Sequence, residues 1–279
     1  MDNNKISKIL WHNIKVSDHK TIVRIMNFIE KNLYGLLPVY HDEFDILKKY
    51  ALKYKLSIDE ILSLRNMIKI QKEINHSRIS YKYIDKIKSE FKQLINQISN
   101  ENNSDKIKIA VRQFFKETMM PINFVIKIIT STNEFKNLSN DLKKKIFQIQ
   151  ADSLKLEQES RVRAELFEQN LANWIRNTYK INFKTEDDIR REKIYSITPD
   201  ILFDKPIIIK VNKAEYIVNW IDAKNYALVN VSFIIKSLKK QAAKYNNIFG
   251  PGAFVFHYGF DSSIKIPNTL ILDGSLIKF

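Results

Sequence analysis

Glycine and proline are distributed so unevenly along this 279-residue chain that they indicate two kinds of structure. Four of the five glycines lie in the last 30 residues, whereas the first 180 residues contain Gly35, Pro38 and Pro121 alone. Because glycine supplies tight turns between strands, its absence favours helices and its return favours a sheet. The apolar residues indicate the same division, because they recur at helical spacing over 44–70 and form short β-rich runs towards the C-terminus. We therefore predict an α+β protein, with an all-helical region over 1–145 and an α/β domain over 150–279.

The charge of the chain points to a polyanionic partner. The formal net charge is +15, and residues 1–150 carry 27 lysines and arginines against 16 acidic residues. A basic excess of this size attracts nucleic acid, although a lysine-rich solvated surface would have the same composition. We assign the DNA-binding role to the helical region 1–145 and leave both interpretations open.

Composition also excludes several classes of protein. The chain has no cysteine, so disulfide frameworks, thiolate zinc sites and cysteine nucleophiles are ruled out. No apolar run approaches the roughly 18 residues of a membrane span, and the N-terminus lacks a signal-peptide core. We expect a soluble, intracellular protein with no membrane partner.

Two pairs of helices in the basic half have the spacing of helix–turn–helix units. Residues 41–54 form the first helix of one pair, and Ser57 with Glu60 makes a capping box that begins the second. Residues 105–118 form the first helix of the other pair, and Pro121 suits the first turn of the next helix. Such pairs either read the major groove of DNA or simply pack within a helical domain.

An acid and a lysine project together from the strand at 215–224. Side chains alternate across a strand, so Asp222 and Lys224 share one face in the pattern D-x-K. Upstream, Thr198, Pro199 and Asp200 open another strand, and the sequence between the two strands fits a hairpin turning at Asn212–Lys213. Asp200 and Asp222 are then expected at the same end of adjacent strands. Two carboxylates can hold Mg²⁺ or Mn²⁺ for phosphodiester hydrolysis, and the lysine can orient water or offset phosphate charge.

A third acid comes from the amphipathic helix predicted over 161–178. On a helical projection Glu168 lies roughly 50° from the centre of the apolar stripe, and Glu165 lies roughly 110° away. A carboxylate facing a sheet is costly unless something binds it. We select Glu168 as the third metal ligand and keep Glu165 as the alternative.

The helix that follows the D-x-K strand carries further candidates. Gln241 and Tyr245 lie on its buried stripe in the pattern Q-x-x-x-Y, where the glutamine either supports the site or bonds to the backbone. Four lysines of the same helix form either a solvated face or a phosphate clamp: Lys236, Lys239, Lys240 and Lys244. His257 lies in a β-run and is either a ligand or general base or, as we predict, a core histidine; the other histidines have no metal-like spacing.

These residues resemble the TPD-motif family, also known as the codanin-interacting nuclease family, of the PD-(D/E)xK nuclease superfamily. The resemblance depends on I-T-P-D-I-L-F at 197–203, W-I-D-A-K at 220–224, Q-A-A-K-Y at 241–245 and F-G-P-G at 249–252. It implies a restriction-endonuclease-like α/β core with Asp200, Asp222, Lys224, Glu168 and Gln241 as catalytic residues, the three acids being the metal ligands. It also implies a nuclear or cytoplasmic setting and a codanin-like protein partner.

The sequence therefore predicts a Mg²⁺- or Mn²⁺-dependent nuclease whose expected substrate is DNA. Two alternatives remain. The first is a catalytically silent nuclease fold that binds DNA or acts as a scaffold through a protein partner. The second is a protein that binds only other proteins and has no nucleic-acid affinity.

Overall fold

The structure, a computed structural model, describes residues 6–33, 39–77, 81–118, 120–193 and 195–277. The chain divides into two compact units, one formed by Met1–Ile25 with Arg161–Phe279 and the other by Met26–Ser160. We call them the sheet unit and the helical unit. No helix within the described ranges is long and apolar enough to cross a membrane.

The sheet unit contains a mainly parallel mixed sheet. Its strands in chain order are β1 (Lys8–Trp11), β2 (Val16–Ser17), β3 (Phe183–Thr185), β4 (Ile201–Val211), β5 (Ala214–Lys224), β6 (Gly252–Phe256), β7 (Phe260–Asp261) and β8 (Thr269–Asp273). The main sheet has the order β1-β4-β5-β6-β8, and β3 also pairs with β4. Strands β4 and β5 are antiparallel, whereas β1–β4, β5–β6 and β6–β8 are parallel. The predicted α+β class is confirmed at this level.

The predicted hairpin between the two acids is present. Strands β4 and β5 pair from Val211 opposite Ala214 back to Ile201 opposite Ile221. The turn lies at Asn212, whose φ of 54° is a left-handed conformation that asparagine tolerates better than most residues. The strand that Asp200 opens continues as far as this turn, with a bulge between Leu202 and Ile207.

The prediction that residues 1–145 are all helical is wrong at the N-terminus. Strand β1 pairs with Ile208–Val211 of β4, and β2 pairs with β7, so residues 6–25 belong to the sheet unit. Two buried carboxylates attach this segment. Asp273 accepts the backbone N–H groups of Ile14 and Lys15 at 2.9 and 2.7 Å, and Asp261 bonds to His19 Nδ1 at 2.7 Å. These contacts join residues more than 240 positions apart in the sequence, so local periodicity cannot reveal them.

The helical unit contains most of the helices. In chain order the helices are α1 (His19–Asn32), α2 (His41–Tyr54), α3 (Ile58–Ser77), α4 (Tyr81–Ile98), α5 (Ser104–Thr118), α6 (Ile122–Thr130), α7 (Asn133–Lys136) and α8 (Asn140–Trp174). The π-helical turn Ile175–Tyr179 follows α8, and the sheet unit adds α9 (Glu186–Glu192) and α10 (Ser232–Phe249). The boundary predicted at 145–150 lies inside α8, because neither glycine nor proline interrupts this helix, and the division into units also falls within it.

Both predicted helix pairs form. In the first pair the capping box is complete, with Ser57 N–H donating to Glu60 Oε2 at 2.6 Å and Glu60 N–H donating to Ser57 Oγ at 3.1 Å. In the second pair α6 begins directly after Pro121, as predicted. Helix α6 contributes to the core of the helical unit and leaves only Asn123 and Lys127 fully exposed. A groove-reading helix presents a broader polar face, so the burial of α6 favours the packing interpretation for this pair.

Candidate active site

The ends of β4 and β5 bring the two predicted aspartates together. Because Ile201 pairs with Ile221, Asp200 and Asp222 lie at the same end of the hairpin. The backbone N–H of Ala223 donates to Asp200 Oδ2 at 2.6 Å, which joins the Thr-Pro-Asp segment directly to the D-x-K strand. The bulge between Leu202 and Ile207 shifts the register that the turn sets, and it is this shifted register that brings the two carboxylates together.

Lys224 lies beside Asp222. Its ammonium forms an ion pair with Asp222 Oδ1, and it lies 5.5 Å from the centre of the Phe254 ring on the neighbouring strand β6. The side chain of Asp222 is 5% exposed and that of Lys224 is 19% exposed, so water screens the pair poorly. Among the described residues, Oδ1 of Asp222 accepts no hydrogen bond of normal geometry.

Helix α10 supplies a hydrogen-bond network on the other oxygen of Asp222. Gln241 Nε2 donates to Asp222 Oδ2 at 2.8 Å and to the hydroxyl of Tyr245 at 3.0 Å. That hydroxyl lies 3.1 Å from Asp222 Oδ2 and 3.0 Å from the carbonyl of Thr198, and donates its single proton to one of them. Gln241 therefore bonds to a site carboxylate rather than to the backbone, and the Q-x-x-x-Y pattern joins three segments of the chain.

The aromatic core behind the network holds these segments in place. Trp220 on β5 packs edge-on against Tyr245, with 4.9 Å between ring centroids, and its indole N–H donates to the carbonyl of Gly250 at 2.9 Å. Gly252 passes so close to this indole that a Cβ there would lie 2.1 Å from the ring. The F-G-P-G segment thus leads from α10 into β6 and also fixes Trp220.

Glu168 faces the aspartates from α8, whereas Glu165 is exposed. Burial, and then the charge of Asp222, raise the pKa of Glu168 above its ordinary value. Burial, together with the charges of Asp222 and Glu168, raises the pKa of Asp200 to about 8. The three acids thus lie within electrostatic reach of one another, and their mutual repulsion disfavours full ionisation. Among the residues described, however, no group of three acidic or histidine side chains is close enough to hold a metal ion as the side chains stand.

One residue near the site was missed in the sequence. Glu186 accepts a hydrogen bond from Thr198 Oγ1 at 2.8 Å, and its charge contributes to the raised pKa of Glu168. Glu186 follows Thr185, which forms a capping box with Asp188 at the start of α9. The T-x-x-D signature at 185–188 could have located this helix start, but its proximity to the site depends on tertiary packing.

His257 lies next to the site in the core. It is 7% exposed, its Nδ1 lies 2.8 Å from Asn225 Oδ1, and its ring stacks on Phe167 with 4.3 Å between centroids. The predicted core role of this histidine is confirmed.

Comparison with known proteins places the site within the range matched by a family model. A family model described as a protein of unknown function with the TPD sequence motif matches residues 134–275, a range that contains every site residue named above. An uncharacterized protein of Acanthamoeba polyphaga mimivirus is 42% identical over 280 residues, covering 98% of this chain and 97% of the relative. No solved structure matches the chain.

Proposed function

Because the chain belongs to the TPD sequence-motif family and its motif residues meet at one site, we propose that it is a metal-dependent nuclease. On this proposal the sheet unit is a PD-(D/E)xK core that hydrolyses phosphodiester bonds in nucleic acid, with DNA as the expected substrate. The observation that carries the proposal is the meeting of Asp200, Asp222 and Lys224 at one end of the β4–β5 hairpin.

The residues at this site fit a hard divalent cation. Carboxylate oxygens are the ligands that Mg²⁺ and Mn²⁺ prefer, and Asp200, Asp222 and Glu168 supply them from three different elements. Asp222 Oδ1 is buried without a hydrogen bond of normal geometry, and burial, together with the charges of the neighbouring acids, raises the pKa values of Asp200 and Glu168. A bound cation would polarise the phosphate and lower the pKa of the attacking water.

The remaining polar residues have separate tasks. Lys224 carries the positive charge nearest to the carboxylates, so it can hold the attacking water or offset the charge that develops on the phosphate oxygens. Gln241 and Tyr245 fix the orientation of Asp222 by occupying its Oδ2, which leaves Oδ1 directed at Lys224. Trp220 and Phe254 exclude water from the inner side of this group.

A cleavage panel tests the proposal. Purified wild-type protein is incubated with labelled single-stranded, duplex, flap and junction DNA and with RNA, each in Mg²⁺, Mn²⁺ or EDTA. We expect cleavage that requires metal and that falls by about 10²–10³-fold in Lys224→Gln, the cost of removing one group that stabilises the transition state. Lys205→Gln on the exposed bulge of β4 is the matched control and should cleave as wild type does.

Full activity in Lys224→Gln would refute the assigned site. Tight binding of nucleic acid without cleavage in either metal would refute the enzyme. It would favour the alternative of a silent nuclease fold that acts as a DNA-binding protein or scaffold.

A further inference from the structure

A groove of about 460 Å³ adjoins the candidate active site along helix α10. Five residues of α10 line it with the spacing of one helical face: Ser237, Lys240, Gln241, Lys244 and Tyr245. Gln241 and Tyr245 also bind Asp222, so the groove shares two residues with the hydrogen-bond network of the candidate active site. The opposite wall includes Glu186 and Thr198.

The charges along this groove are unevenly compensated. Lys240 and Lys244 are exposed, and neither forms an ion pair within the portion of the chain that the structure describes. Glu186 is the acid of the opposite wall, and its Oε1 is paired with Arg190 at 2.7 Å. The groove therefore offers two ammonium groups on one wall and, on the other, an acid that is paired with an arginine. Side chains four residues apart on a helix lie roughly 6 Å apart at Cβ, so both lysines can contact one extended anionic chain.

We propose that this groove binds the sugar–phosphate backbone of one nucleic-acid strand next to the bond that is cleaved. The inference depends on the proposed function, because that function makes Asp222 the point of cleavage. Lys240 and Lys244 contact consecutive phosphates of the strand, and the tyrosine and threonine side chains line its path. The lysines contribute charge but no base recognition, so the contact is independent of sequence.

The expected effect follows from counterion release. Each phosphate contact to a single strand adds about 0.7 to the slope of log affinity against log salt concentration. At about 0.1 M salt one such contact corresponds to about 5-fold in affinity, and two correspond to about 25-fold. Lys240→Gln/Lys244→Gln should therefore bind about 25-fold more weakly than wild type, with a salt slope smaller by about 1.4.

The experiment is a fluorescence-anisotropy titration of full-length protein with a short labelled single-stranded DNA in Ca²⁺, repeated with duplex DNA and at several salt concentrations. Lys236→Gln/Lys239→Gln removes the same charge from the same helix at residues that do not line the groove, so it is the matched control. Circular dichroism establishes that all proteins are folded. A weaker effect in the control pair than in the groove pair supports the proposal.

Unchanged affinity and salt slope in Lys240→Gln/Lys244→Gln would refute binding of the backbone in the groove. Equal weakening of binding in the control pair would also refute it, and so would the absence of binding by wild type. Cleavage is measured separately on the same proteins. A wild type that binds through the groove but never cleaves would refute the nuclease and leave the groove supported. If wild type cleaves and the two lysines contribute nothing to binding, the groove is refuted and the nuclease remains supported.

Discussion

Replacement of Asp200 by asparagine should make the metal-free protein more stable, although it should abolish activity. Asparagine has the same shape and keeps an oxygen for the N–H of Ala223, so the main change is the loss of a carboxylate from a crowded acidic site. Burial and the charges of Asp222 and Glu168 raise the pKa of Asp200 from 3.8 to about 8. Between pH 3.8 and about pH 8, the folded protein therefore keeps a proton on Asp200 that the unfolded chain has already released.

The magnitude and its pH dependence follow from this difference. Each pH unit between the unfolded pKa and the working pH costs the folded state about 1.4 kcal/mol, until the folded pKa is reached. The stabilisation gained by Asp200→Asn therefore has an upper limit of about 4 kcal/mol at pH 7 and about 1.5 kcal/mol at pH 5. Because Asp200 is only partly buried, solvent screening reduces the expected gain to about 1–3 kcal/mol at pH 7. Wild-type stability thus falls relative to the variant as pH rises from about 4 to about 8.

The assay is thermal unfolding in EDTA at pH 5 and pH 7, measured by calorimetry. A gain of about 1–3 kcal/mol corresponds to a rise in Tm of about 3–10 °C for a unit of this size. Asp204→Asn, on the exposed bulge of the same strand, should leave Tm unchanged. Added Mg²⁺ should stabilise wild type more than Asp200→Asn. A variant that is no more stable than wild type at pH 7, or whose advantage is equal at both pH values, would refute the electrostatic reasoning.

Three further substitutions test the packing of the sheet unit and the site. Asp273→Ala leaves two backbone N–H groups of the N-terminal segment without an acceptor and should lower the free energy of unfolding by about 3–5 kcal/mol in urea titrations; a loss below about 1 kcal/mol would contradict this attachment. Gly252→Ala places a methyl group against the Trp220 indole, so it should lower the free energy of unfolding by about 1–3 kcal/mol and alter the tryptophan fluorescence emission. A variant with the stability and emission of wild type would contradict the close approach of Gly252 to the indole. Tyr245→Phe removes the hydroxyl at Asp222 and should slow cleavage by about 10-fold while costing about 1 kcal/mol of stability; an unchanged rate would exclude the hydroxyl from positioning that carboxylate.

The candidate site was predictable because it is built from local patterns. Alternation along β5 puts Asp222 and Lys224 on one face, and a hairpin that turns at Asn212 brings Asp200 to the same end of the two strands. The bulge in β4, which shifts the register next to Asp200, was not predicted. Helical periodicity likewise selects Glu168 over Glu165, and the structure places Glu168 half-buried near the aspartates. In each case the signal lies within one element or one hairpin.

The remaining features depend on contacts between distant parts of the chain. Strand β1 is four residues long, and its partner lies about 200 residues away, so its short apolar run does not identify it as a strand. The buried Asp261 and Asp273 look like ordinary turn acids in the sequence, because each also accepts hydrogen bonds from a serine two residues later, whereas their N-terminal partners lie at the opposite end of the chain. The codanin-like partner and the nuclear setting implied by the resemblance stay predictions.

The most direct test of the central claim compares DNA cleavage by wild type and Asp222→Asn, in Mg²⁺ and in EDTA, with Asp204→Asn as the control acid. The proposed mechanism requires Asp222 to hold the cation, so wild type and Asp204→Asn should cleave in Mg²⁺ and lose cleavage in EDTA. Asp222→Asn should be at least about 10²-fold slower while still folded. Cleavage that persists in EDTA, or wild-type rates in Asp222→Asn, would contradict a metal-dependent nuclease centred on this carboxylate.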